Sequence, residues 1–182
     1  RVLHSRRNYG VAVGAVLSVV TAAAAAYGFT FGTRQLAVRH VDISLDSLPS
    51  AFEGYRIVQL SDIHAGTLPE GLLGRAIDSV NAARADAVMF TGDLQNMEPS
   101  ELTRCRADLR RLRGRDGVFA VLGNHDYSMY VSASAAVCAD NERRLCDAER
   151  SFGWRLLANE HCVVRRGGDS IVVAGTENDG RP

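Results

Sequence analysis

Three short apolar runs, residues 56–60, 87–91 and 118–122, each lead into a polar tip, and this repeat constrains the fold more than any other feature. The tips read Asp62-Ile63-His64, Gly92-Asp93 and Gly123-Asn124-His125-Asp126. Runs of that length and β-rich content predict strands. The text between them predicts helices. Residues 69–85 put Pro69 in a first turn and Leu72, Leu73, Ala76, Ile77 and Val80 on one face. Residues 99–113 turn Leu102, Cys105, Leu109 and Leu112 inward and leave the arginines as a solvated face. Strand, helix, strand, helix, strand is the pattern of a parallel α/β sheet. All three tips then lie on one sheet edge, where ligands bind in open α/β folds.

A longer helix is expected over 133–152, with short strands at 154–157, 162–165 and 170–174. Gly167-Gly168 joins the last two as a turn, and these late strands suggest a second sheet. Residues 38–45 alternate apolar and polar, the mark of a half-buried strand. Glu177-Asn178-Asp179 follows the last strand. If that strand runs parallel to the others, Glu177 and Asn178 join the rim of the site. Asp179-Gly180-Arg181-Pro182 is a turn signal.

Between Arg7 and Arg34 there is no charged residue, a run longer than the roughly 20 residues that cross a bilayer. Residues 1–35 are therefore expected to form a membrane anchor or export signal, and 36–182 the folded domain. Ser5-Arg6-Arg7-Asn8-Tyr9 is similar to a twin-arginine export motif, and Ala22 to Ala26 offer a small-residue cleavage site. Both readings keep the N-terminus in the cytoplasm and place the domain on the extracytoplasmic side. The chain carries 21 basic and 21 acidic residues, so there is no basic excess to track a phosphate backbone, and no nucleic-acid partner is expected. Cys105, Cys138, Cys146 and Cys162 lack C-x-x-C spacing, which argues against a zinc knot.

The tips carry the chemistry of a metal site. Asp62 and His64 are two apart, so on an extended chain they face the same way and chelate one ion. Asp93 has lone pairs for two metals and bridges to a second ion. Asn124 adds a neutral carbonyl oxygen there, and Gly92 and Gly123 leave room for sharp turns beneath the ions. His125 is placed to protonate a leaving group, and Asp126 to hold that imidazole and raise its basicity. Carboxylate, imidazole and amide donors together suit Mn, Fe or Zn. Two such ions about 3.5–4 Å apart activate a hydroxide and clamp phosphoryl oxygens. His4, His40 and His161 stand apart from this cluster.

Asp62-x-His64, Gly92-Asp93 and Gly123-Asn124-His125-Asp126 resemble the first three signatures of the calcineurin-like metallophosphoesterases. The text from Gly54 to Ser61 is similar to the membrane-associated bacterial branch of that family. The resemblance implies an αββα sandwich, two β-sheets packed face to face with helices outside. It implies two divalent metal ions, Asp62, His64 and Asp93 holding one, Asp93 and Asn124 the other, with His125 as the catalytic histidine. The implied reaction is hydrolysis of phosphate mono- or diesters, and the anchor makes lipid-linked phosphoesters or pyrophosphates attractive substrates. The family completes both metal shells with later Ser/Gly-His and Gly-His-x-His segments, which nothing here matches. The chain thus reads as the N-terminal part of such a domain, expected to bind metal weakly and to be a poor catalyst. The rival reading is a membrane-anchored, non-catalytic module with a vestigial metal site.

Overall fold

The computed structural model describes residues 2–178, and the chain divides into two compact units, Arg1–Ala37 and Val38–Pro182. The first unit is one helix, α1 (Val2–Thr30), followed by a short 3-10 turn, Gly32–Arg34. At 1.5 Å per residue its 29 residues run about 44 Å, enough to cross a membrane. From Tyr9 onward its valines, leucines and aromatics are all exposed, as on a helix suited to an apolar medium.

The second unit begins its regular structure at β1 (Ile57–Leu60), followed by α2 (Leu72–Ala82) and β2 (Ala87–Phe90). A 3-10 turn (Pro99–Arg104) runs into the short α3 (Arg106–Leu109), then β3 (Gly117–Ala120). The remaining elements are α4 (Ala135–Ser151), β4 (Arg155–Leu156), β5 (Glu160–Arg166) and β6 (Asp169–Gly175). β1, β2, β3 and β4 form a parallel sheet in that spatial order, with Leu60 opposite Phe90 and Phe90 opposite Ala120. β5 and β6 form an antiparallel hairpin that turns at Gly167, φ +60°.

Side-chain alternation divides the sheet into two faces. Val88, Phe90, Val118 and Ala120 pack with Ile77, Leu109 and Leu145 from the helices. Ala87, Met89, Phe119 and Val121 point the other way, onto Cys162, Val164, Ile171 and Val173 of the hairpin. Because each strand neighbours the next in sequence and crossovers are right-handed, the helices share one face. The other face is left for the second sheet. The expected α/β architecture of two sheets packed face to face is present.

A polar pin joins the two sheets at the end remote from the tips. Arg166 of β5 donates to Asp86 at 2.9 Å and Asp116 at 3.3 Å. Its guanidinium lies 4.7 Å from the ring centre of Tyr55 and 5.6 Å from that of Phe52. Tyr55 donates its hydroxyl to Asp116 at 2.9 Å, and burial together with that carboxylate pushes its phenol upward.

Several expectations change. Residues 38–45 form no strand: Val41 and Ile43 are exposed, and the segment has no sheet neighbour among the described residues to satisfy its peptide groups. The helix read over 99–113 breaks into the 3-10 turn and α3, although its four inward residues are all buried. β4 joins the first sheet, so only two of the three late strands build the second. β6 runs antiparallel to β5, and Glu177 exchanges hydrogen bonds with Asn159, at 2.8 and 3.0 Å. β6 nevertheless starts beside Arg166, at the end remote from the tips, and ends at Gly175, where a Cβ would lie 2.7 Å from Val121 Cγ1. It therefore runs in the direction of β1, β2 and β3, as the expectation for Glu177 and Asn178 required. All four cysteines are free, and the turn read at 179–182 lies outside the described residues.

Candidate metal centre

The parallel ladder continues past the strands and carries the tips with it. Asp62 donates its N–H to Gly92 O at 3.0 Å, and His64 donates to Asp93 O at 3.0 Å. The backbone then reverses sharply, with φ of +54° at Asp62, +44° at His64, +58° at Asp93 and +99° at Gly92. Left-handed backbone is uncommon outside glycine and gathers at functional sites. At Gly92 it is coupled to a close approach, since a Cβ there would lie 2.3 Å from Gly123 N. Only two glycines allow these tips to meet.

This approach gathers the donors. His64 Nε2 lies 3.8 Å from Asp62 Oδ1 and 3.8 Å from Asp93 Oδ2. Those gaps exceed a hydrogen bond. They match two atoms that each sit about 2.1 Å from a common ion. His64, Asp93 and His125 offer ligand atoms that all lie within 4.8 Å of one another. His64 Nδ1 is buried without a hydrogen-bond partner, so the ring is held by packing and its Nε2 faces the two carboxylates. The donor set and its spacing fit a divalent metal ion. Asn124 donates its amide N–H to the Tyr130 hydroxyl at 2.9 Å, which leaves Oδ1 as its free donor atom.

His125 is held from four sides. Its backbone N–H donates to Asp93 Oδ1 at 2.9 Å, and its Nδ1 lies 2.7 Å from the carbonyl of Asn96. The His64 ring meets it edge-on at 4.6 Å, and the Tyr130 ring lies 4.4 Å away at 32°. A carbonyl accepts only, so Nδ1 carries the proton and Nε2 is the free nitrogen of the neutral ring.

The imidazole partner is thus Asn96 O, and not Asp126 as the sequence suggests. Asp126 is fully buried, and backbone amides occupy both its oxygens. Oδ1 accepts from Leu94 at 3.0 Å and Gln95 at 3.2 Å, and Oδ2 from Asp93 at 2.7 Å and Gly123 at 2.9 Å. One carboxylate therefore ties the Gly92-Asp93 tip to the Gly123-Asn124 tip. Burial pushes its carboxyl up to about 6, against the pull of those amide bonds. Glu149 of α4, also fully buried, is pushed well above the usual carboxylate range by burial and by the Asp126 charge.

The sequence gives no sign of Asn96, which acts through its backbone, a group every residue carries. Tyr130, five residues beyond His125, sits outside any short motif spacing, so only the folded chain brings it to the rings.

The family described as Calcineurin-like phosphoesterase matches residues 55–177. A Danio rerio protein named "Transmembrane protein with metallophosphoesterase domain" is 32% identical over 164 residues, 88% of this chain and 35% of that one. Its Bos taurus namesake is 35% identical over 128 residues, 70% of this chain and 27% of the other. "UDP-2,3-diacylglucosamine pyrophosphatase LpxG" of Chlamydia trachomatis serovar D is 34% identical over 125 residues, 62% of this chain and 37% of that protein. The chain spans about a third of the length of these relatives. The match runs through all three tips and both sheets, and the chain belongs to the calcineurin-like phosphoesterase family.

Proposed function

We propose that this chain supplies the metal-holding tips of a membrane-anchored hydrolase of phosphate mono- or diesters, with residues 1–35 as the anchor and 36–182 as part of the catalytic domain. The observation that carries the reading is the equal 3.8 Å spacing of His64 Nε2 from Asp62 and Asp93 at the sheet edge. In this reading Asp62, His64 and Asp93 hold one divalent ion, and Asp93 and Asn124 a second. Such ions, Mn, Fe or Zn by donor type, supply an activated water and neutralise phosphoryl charge. His125 presents its free Nε2 to the leaving oxygen and, when protonated, hands it a proton. Asp126 locks the loops that set these distances.

A lipid-linked phosphoester or pyrophosphate is the proposed substrate class. It is supported by the apolar helix α1 and by a relative named as a pyrophosphatase of a diacylated sugar nucleotide. The proposed location of the domain is extracytoplasmic, supported by Arg6 and Arg7 as cytoplasmic flanks of the span.

The test is hydrolysis of bis(p-nitrophenyl) phosphate by the intact protein after chelation and after readdition of Mn²⁺, Fe²⁺ or Zn²⁺. Turnover that returns with metal and vanishes in Asp93→Ala supports the reading. Turnover that survives Asp93→Ala removes the two-ion arrangement, and a folded protein with no metal-stimulated turnover favours the non-catalytic module.

A further inference from the structure

We propose that Glu101 is a positioning residue for His125, acting through the peptide group between Asn96 and Met97; this rests on the leaving-group role proposed for His125 above. Glu101 sits in the 3-10 turn Pro99–Arg104, anchored by the buried Pro99 and Leu102. Its carboxylate accepts three successive backbone N–H groups, from Asn96 at 2.7 Å, Met97 at 2.9 Å and Glu98 at 3.3 Å. The Met97 N–H and the Asn96 carbonyl belong to one planar, trans peptide, so they point in opposite directions. Fixing that N–H on Glu101 aims the carbonyl on its other side, and His125 Nδ1 lies there at 2.7 Å. A charged acceptor on the N–H also polarises the peptide and makes its carbonyl a better acceptor.

The same turn is tied to the first metal tip. Arg104 donates to Ala65 O at 3.1 Å, and the Glu101 carboxyl carbon stands 2.6 Å from where a Cβ on Gly66 would be. Glu101 therefore sits between the loop after His64 and the loop that orients His125. A carboxylate placed only to cap the turn would need the Glu98 amide and not that of Met97. The bond from Met97 is the one that matters to the imidazole.

The test compares ¹⁵N-labelled, metal-free wild type with Glu101→Gln and with Glu98→Gln at pH 8, reading the His125 ring nitrogens by NMR. Glu98 shares the cap but makes no bond to the Asn96–Met97 peptide, so its variant controls for cap strength. Wild type and Glu98→Gln should show the Nδ1–H tautomer, and Glu101→Gln a mixed population. In the metal-loaded protein kcat of Glu101→Gln should fall about tenfold with KM within about twofold. Glu101→Asp provides the second variant if the glutamine form does not fold, and its shorter reach should also mix the tautomers. An unchanged Nδ1–H signature in Glu101→Gln overturns the proposal, as does an equal loss in Glu98→Gln. If the tautomer responds as described but wild type shows no metal-stimulated hydrolysis, the positioning stands and the hydrolase reading fails.

Discussion

A Cβ placed on Gly123 would stand 2.2 Å from Asp93 Oδ1 and 2.6 Å from Asp93 N. The second and third tips touch here, and the contact sets where a carboxylate can lie. Gly123→Ala should shift the Asp93 carboxylate from its 3.8 Å spacing to His64, lowering metal affinity by about tenfold or more. Overpacking should also cost about 1–3 kcal/mol of stability. Calorimetric metal titration beside thermal unfolding measures both, and an affinity within twofold of wild type would show that the approach is not needed.

Asp126 accepts four backbone amides drawn from both tips. Asp126→Asn replaces one accepting oxygen by a donor and leaves buried N–H groups facing it. About 2–4 kcal/mol should be lost, because bonds to a charged acceptor and unmet buried donors both count. If Asp126 instead oriented the imidazole, the same variant would shift the His125 tautomer and spare stability. Denaturant unfolding together with ring-nitrogen NMR separates the two.

Arg166 holds Asp86 and Asp116 and covers the rings of Tyr55 and Phe52. Arg166→Met keeps much of the apolar contact but leaves two carboxylates facing each other at the sheet junction. Breaking a largely buried pair on one side costs about 3–5 kcal/mol. Arg115 also reaches Asp86, at 2.8 Å, so a value near the lower end is expected. The metal tips lie at the opposite end of the strands, so metal affinity should hold while the denaturation midpoint falls.

Glu149 has both carboxylate oxygens buried without a hydrogen bond. Burial raises its folded-state pKa above the unfolded value, so between the two the folded chain holds more protons. Its contribution is intact below the unfolded carboxyl range and is lost as pH climbs through the folded value. Glu149→Leu removes this dependence and fills the space beside Leu145 and Phe152. The variant should be more stable than wild type by about 1–3 kcal/mol at pH 8 and by less at pH 5. Equal stabilisation at both pH values would show that Glu149 is not titrating in the folded chain.

Much of the fold is legible because its signals are local. The runs before Asp62, Asp93 and Asn124 are short and β-rich, and their order with intervening amphipathic text fixes a parallel sheet. Where the expectation failed, the deciding partner is distant in sequence. Residues 38–45 alternate as a strand should, yet a strand exists only beside another strand. β4 shares its local pattern with β5, and only Phe119 and Ala120, paired with Arg155 and Leu156, draw it into the first sheet.

Residue type alone sets the donor chemistry at the tips and marks the span apolar enough to cross a membrane. What each donor faces is set only when the chain folds. Asp126 and Asn96 show why: a buried carboxylate takes whichever N–H groups packing brings near, and a backbone carbonyl acts with no trace in residue type. The spacing of His64, Asp93 and His125 likewise depends on two glycines, Gly92 and Gly123, meeting across adjacent strands. That contact is set by strand register, which no local stretch of sequence contains.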